Sequence, residues 1–253
     1  HKYGCETVML HVPYQAEGKI APNMREYVVK QLKETVIPTL ERISGVKFDI
    51  DRLRQYMRES AKAEEDLVAV LQSAKNRPSP IDGYFGAVYY IGPIFTAFRG
   101  TTEATQYYRT LRSEIEERVR LGLGPVTPDG PMGEEKYRLV VEGPPNWTHF
   151  REFWKMFYEE GAVVVASTYS KVGGLYDFGF RHDPDHPLES LAEYCLGCYT
   201  NLNLPSRVDM ICRYIDEYQA DGLLINSIKS CNSFSAGQLL ILREVEKRTG
   251  KPA

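Results

Sequence analysis

Cys231 stands in the run Asn226-Ser227-Ile228-Lys229-Ser230-Cys231-Asn232-Ser233-Phe234-Ser235, between a short apolar stretch and a helix-forming stretch. A thiol there faces the free N–H groups and the positive dipole end of the following helix, which favour the thiolate. The thiolate is the form that binds a metal cluster or acts as a nucleophile. The competing reading is an inert cysteine at a packed turn, because free Cys is among the most buried residue types.

The remaining cysteines are Cys5, Cys195, Cys198 and Cys212. Cys195-Leu196-Gly197-Cys198 has CxxC spacing, but no second pair follows at zinc-finger distance, so it is a weak sign of zinc or redox chemistry. Cys212 falls within an amphipathic helical pattern and reads as core. An odd, widely spaced set is no disulfide framework, and in a reducing compartment such residues serve more often as ligands or reactive thiols. Arg181-His182-Asp183-Pro184-Asp185-His186 holds metal-ligand types, yet Pro184 within it and Pro187 just after it mark an exposed loop. Gly173-Gly174 would admit a close backbone approach or form a plain turn. Trp147 and Trp154 are assigned to core packing.

These residues need elements to position them. Residues 7–12 (Thr-Val-Met-Leu-His-Val) are β-prone, stop at Pro13 and read as a buried parallel strand with Cys5 in the preceding loop. From Pro22 to about 124 the pattern is helical. Val28, Leu32, Val36 and Leu40 recur once per turn, Asp49 opens a second helix, and Arg77-Pro78-Ser79-Pro80 breaks it. A third helix is expected over 81–98, rich in aromatics (Tyr84, Phe85, Tyr89, Tyr90, Phe95, Phe98), and a fourth, charged and exposed, over 101–121.

After a Gly/Pro/Asp linker at 122–136 the texture changes. Strands are expected at 137–142, 162–167 and 222–226, and helices at 148–160, 206–219 and 233–247. Strands alternating with helices of this length imply βαβ units on a parallel sheet, an α/β class. The expected division is 1–13 as the end of a preceding α/β domain, 14–130 as a mainly helical region, and 131–253 as a Rossmann-like α/β domain. Neither terminus reads as a natural chain end, since the first residue is His1 and a helix hands over to Lys251-Pro252 without a following strand; the expectation is an internal piece of a longer chain. In a doubly wound sheet ligands bind beyond the carboxyl ends of the strands. The loops 142–147, 167–174 and 227–235 occupy that edge.

The 253 residues are 43% hydrophobic, enough for a packed core. The net charge of -3 gives no basic face for nucleic acid. No apolar run reaches the roughly 20 residues that span a bilayer, and no signal peptide opens the chain.

Lys229-Ser230-Cys231-Asn232, followed by Ser235 and Gln238, resembles the cysteine loop of the 2-hydroxyacyl-CoA dehydratase and benzoyl-CoA reductase family. The spacing Arg207-x5-Arg213-x7-Asp221-Gly222, the Glu142-Gly143-Pro144-Pro145 turn and Gly4-Cys5-Glu6 before the Val-Met-Leu-His-Val-Pro run are similar as well. Cys-Asn in place of the dehydratases' Cys-Lys brings the chain nearest the B-type subunits of the ATP-dependent reductase branch. The resemblance covers essentially the whole chain.

It implies an oxygen-sensitive oxidoreductase subunit with a [4Fe–4S] cluster held by three cysteines. Two map to Cys5 and Cys231, and the third is expected upstream of His1. The implied complex is heteromeric and cytoplasmic. It includes a paralogous iron–sulfur subunit, actin-like-fold subunits that hydrolyse ATP, and ferredoxin as electron donor, with ATP bound on the partners rather than here. The implied reaction of anaerobic aromatic degradation adds low-potential electrons and protons to the ring of benzoyl-CoA, giving a cyclohexadiene-carbonyl-CoA. Fe–S centres reach about −700 mV, near the extreme such a step demands. The aromatic segment 84–98 would then wall the substrate pocket. No residue stands out as proton donor. Three alternatives stay open: a radical (R)-2-hydroxyacyl-CoA dehydratase subunit with the same cluster, a cluster-free scaffold subunit, and a zinc protein using Cys195 and Cys198.

Overall fold

The computed structural model describes residues 4, 6–82, 100–169 and 181–253. Its helical half is built on two long helices, α3 (Ile50–Gln72) and α4 (Thr102–Arg120). Asp49 starts α3 by accepting from the N–H groups of Asp51 and Arg52 at 2.9 and 3.2 Å, and Thr101 caps α4 through Ala104 N at 3.3 Å. Such caps satisfy first-turn donors that lack an intrahelical partner. The helices meet through Ala63, Leu67, Leu71 and Tyr108, so α4 is less exposed than its charge suggests: it buries a stripe that also includes Ala104 and Ile115.

Helices α1 (Pro22–Gln31) and α2 (Ile37–Ser44) are joined by a wider π turn at Leu32–Val36. Pro38 explains the widening, because its ring cannot share space with the carbonyl four residues back. Val28 and Val29 of α1 pack on Leu188, Ala192 and Leu196 of a later helix, α6 (Pro187–Leu196).

A short antiparallel ribbon, β1 (Val126–Thr127) with β2 (Gly130–Pro131), leads into the sheet. Among the described residues the sheet is parallel and three-stranded: β3 (Tyr137–Glu142) is central, with β4 (Ala162–Ser167) on one side and β5 (Gly222–Ile225) on the other. All six residues of β4 are buried, as a strand covered on both faces requires. Alternation then divides the side chains. Val140, Val163 and Val165 face the core shared with α7 (Leu204–Glu217), whereas Val141 and Val164 face Trp154 of α5 (Phe150–Tyr158). Val70, Ala74, Ile81 and Ile115 of the helical half belong to that same first core.

Arg138 of β3 is fully buried and fastens the two halves. It donates to the carbonyls of Tyr218 (2.8 Å), Asn76 (3.1 Å) and Ala74, and pairs with Glu135. A guanidinium with five fixed donors can tie several buried carbonyls where a point charge could not.

Three sequence expectations need correction. Residues 7–12 form no strand, because among the described residues no strand lies alongside; only Gln15 makes an isolated bridge, to Leu202. The expected helix 233–247 is two pieces, α8 (Asn232–Ser235) and α9 (Gln238–Thr249), parted by Gly237 with φ 81°. Trp147 is not core: it is 54% exposed and stacks on Phe150 with ring centroids 6.0 Å apart. Trp154 is buried as expected. The expected helix at 81–98 falls mostly outside the described residues.

Candidate functional site

Because the strands are parallel, the segments after β3, β4 and β5 leave one edge of the sheet. From central β3 the chain runs to β4 on one side and later to β5 on the other. The reversal makes this edge the place where open parallel sheets receive ligands.

Glu142 ends β3 and is wholly buried. Its Oε1 accepts from the Tyr199 hydroxyl at 3.0 Å and its Oε2 from Gln238 Nε2 at 2.7 Å. Its carbonyl accepts from Asn226 N at 2.8 Å. Burial pushes the Glu142 carboxyl up; the bonds from Gln238 and Tyr199 and the positive charge of Arg207 oppose that rise. Burial, reinforced by the Glu142 charge, pushes the Tyr199 phenol far above its ordinary range, so Tyr199 serves as a donor. Among the described residues, Gln238 Oε1 is buried without a hydrogen-bond partner.

Arg207 lies over the Tyr199 ring, 5.0 Å from its centroid, and donates to the carbonyls of Ser233 and Thr200 at 2.8 Å each. The Asn226 side chain donates to Pro144 O. Gly143, at φ 104°, allows this closeness, since a Cβ there would meet Asn226 O at 2.4 Å. Gly143 N donates to Thr168 Oγ1 at 3.2 Å, which adds the segment after β4 to the same network.

Cys231 lies in the segment so enclosed. It is half-buried, forms no disulfide and precedes the single turn of α8. Its carbonyl accepts from Phe234 N at 3.2 Å and from Ser235 N and Oγ at 3.0 Å each. The free N–H groups anticipated beside the thiol are therefore partly committed to its own backbone, and no long helix starts there.

The other candidates disperse. Cys5, the aromatic segment 84–98 and Gly173-Gly174 lie outside the described residues. Cys195 sits half-buried on α6, its thiol pushed up by burial and by Cys198. Cys198 Sγ lies 3.3 Å from Thr200 Oγ1. Cys212 is on α7, its thiol raised by burial. The 181–186 cluster splits: His186 pairs with Asp183 at 2.9 Å on the surface, while His182 is buried against Glu64, Ser190 and Tyr194. Among the described residues no three His, Cys, Asp or Glu side chains form a metal-binding group.

Tyr199 and Thr168 were not anticipated. The available signal was the Glu that closes the apolar run Leu-Val-Val, since a charge ending a buried strand needs buried partners.

Over all 253 residues the chain is 75% identical to the B-type subunit of benzoyl-CoA reductase from Thauera aromatica, matching 59% of that protein. It is 27% identical over 247 residues (97% of the chain, 57% of the relative) to the "(R)-2-hydroxyisocaproyl-CoA dehydratase alpha subunit" of Clostridioides difficile. It is 25% identical over 245 residues (97% and 56%) to the "(R)-phenyllactyl-CoA dehydratase alpha subunit" of Clostridium sporogenes. The chain thus spans less than three fifths of the length of these relatives. The family model "2-hydroxyglutaryl-CoA dehydratase, D-component" matches residues 1–253, and the chain belongs to that family.

Proposed function

We propose that this chain is part of an iron–sulfur subunit of an ATP-dependent benzoyl-CoA reductase, in which it helps deliver electrons to the aromatic ring of an acyl-coenzyme A. The observation that carries the reading is the 75% identity to a B-type benzoyl-CoA reductase polypeptide along every residue, against 27% and 25% to the two dehydratase relatives. The fold supports it: a free, half-buried thiol stands at the ligand-receiving edge of a parallel sheet.

The donor chemistry fits a thiolate-ligated cluster as far as Cys231 goes. Cys231 and Cys5 would supply two thiolates, with a third from a segment preceding His1. A bound [4Fe–4S] cluster would supply the low-potential electron. The chain's own residues do the rest: the three edge segments hold Cys231 in place, and exposed Trp147 offers an aromatic face beside Tyr169, 6.2 Å between centroids. The same reading assigns ATP hydrolysis to actin-like-fold partner subunits and electron supply to ferredoxin. It includes a paralogous iron–sulfur subunit and a cytoplasmic setting; no described helix is long and apolar enough to cross a membrane.

The test is iron, acid-labile sulfide and EPR on the full-length protein, made anaerobically with its partners, wild type beside Cys231→Ser. About four irons per cluster, lost or spectroscopically altered in the variant, is the expected result. Iron indifferent to Cys231 would overturn the ligand assignment. ATP use then separates the chemistries: consumption in proportion to substrate fits the reductase, and catalytic ATP fits a 2-hydroxyacyl-CoA dehydratase.

A further inference from the structure

Glu142 grips both ends of the segment that carries Cys231. At its start, the Glu142 carbonyl accepts from Asn226 N at 2.8 Å. At its finish, the Glu142 carboxylate accepts from Gln238 Nε2 at 2.7 Å. The middle is held through a relay: Tyr199 donates to the other carboxylate oxygen, Arg207 lies over the Tyr199 ring, and the same guanidinium bonds Ser233 O at 2.8 Å. Segment 227–237 is thus closed into a loop whose start is tied to the Glu142 backbone and whose midpoint and finish lead to its wholly buried side chain. A carboxylate on the central strand of a packed sheet is a rigid anchor, and bonds to a charged acceptor are the stronger kind.

The orphaned Gln238 Oε1 adds direction. A buried carbonyl oxygen without a donor is costly, so the amide adopts this orientation because the carboxylate demands its N–H. The link from Gln238 to Glu142 ties the first residue of α9 to the central strand.

We infer that Glu142, acting through Gln238, is the positioning residue of the Cys231 thiol: it fixes the loop geometry in which Cys231 meets its ligand. This rests on the reading of Cys231 as a cluster ligand, but the positioning itself is measurable without iron. The experiment is alkylation of the full-length protein, iron stripped anaerobically, with iodoacetamide under native conditions. Peptide mass spectrometry follows Cys231 beside Cys195, Cys198 and Cys212.

In Gln238→Met, which keeps length but removes the donor, Cys231 should react about ten-fold faster while the other three hold their rates, because a lost bond to a charged group opens a local segment to that extent. Glu142→Gln keeps an acceptor and should give a smaller, equally selective rise. An unchanged Cys231 rate in Gln238→Met overturns the inference. So does acceleration of all four cysteines in step, which is what general loosening of the fold produces. Iron analysis of Cys231→Ser fails or succeeds independently, so loss of the ligand reading and loss of the positioning role are distinguishable.

Discussion

The side-chain amide of Gln31 pairs with both backbone groups of His11: its Nε2 donates to His11 O and its Oε1 accepts from His11 N, each at 2.9 Å. A glutamine on α1 thus gives His11 the pair of backbone hydrogen bonds that a neighbouring strand would have given that residue. Gln31→Ala should free that segment locally. At about 1 kcal/mol net per bond, exchange of the His11 amide should rise roughly ten-fold or more while the global unfolding midpoint moves little. Hydrogen exchange resolved at His11 checks this; a matching fall in global stability would contradict a local role.

Arg138 ties several buried carbonyls at once. Replacing it by Met leaves the Ala74 and Tyr218 carbonyls without this donor and the Glu135 carboxylate without its charged partner, with Ser79 N still donating to it at 2.6 Å. Breaking a buried ion pair from one side costs about 3–5 kcal/mol. Urea unfolding should show a loss of that order, and a loss under about 1 kcal/mol would mean that water reaches the site.

Glu142 makes stability depend on pH with a definite sign. Its carboxyl is raised in the folded protein above the ordinary 4.5, so the folded state holds this proton more tightly than the unfolded state does. That contribution is fully present below 4.5 and is lost as pH rises through the higher folded value. Glu142→Gln removes the titration. The difference in melting temperature between variant and wild type should therefore move in the variant's favour as pH climbs from 4.5 through that window. A difference independent of pH would show that Glu142 titrates normally.

Gly143→Ala tests the closeness of the edge segments. The new Cβ would meet Asn226 O at 2.4 Å from a backbone at φ 104°. Strain of this kind costs about 2–4 kcal/mol, which for a chain of this size lowers the melting temperature by roughly 5–10 °C. Gly45→Ala is the control: it has a positive φ of 70° but no atom within 4 Å, so only the backbone part should be lost.

The sheet was legible because each strand is a short apolar run beside a turn. The expected 137–142 and 162–167 coincide with β3 and β4, and 222–226 exceeds β5 by one residue. The first segment was not, since Val8 and Leu10 have strand character but strands need neighbours, and neighbours are not written locally. Helix 187–196 went unseen because Pro187 and the preceding His-Asp-Pro run looked like continuing loop, although Pro at the first helical turn is an ordinary start. In the site, the Cys231 segment and its place on the carboxyl edge could be read from the chain. The Glu142–Tyr199–Gln238 contacts could not, because they join residues 57 and 96 positions apart.

The kink at Gly237 also bears on how such a chain diversifies. Its left-handed backbone, packed where a Cβ would meet Leu204 at 2.8 Å, lets α9 begin afresh rather than continue α8. The exposed side chains of this segment, Ser227, Lys229, Ser230, Asn232 and Ser233, can therefore be exchanged without shifting the register of α9 against the sheet, while Phe234 keeps the segment seated in the core. Substitution can remodel the surroundings of the thiol while the frame that presents it stays constant, and grafting this segment between relatives is a smaller perturbation than its place at the sheet edge suggests.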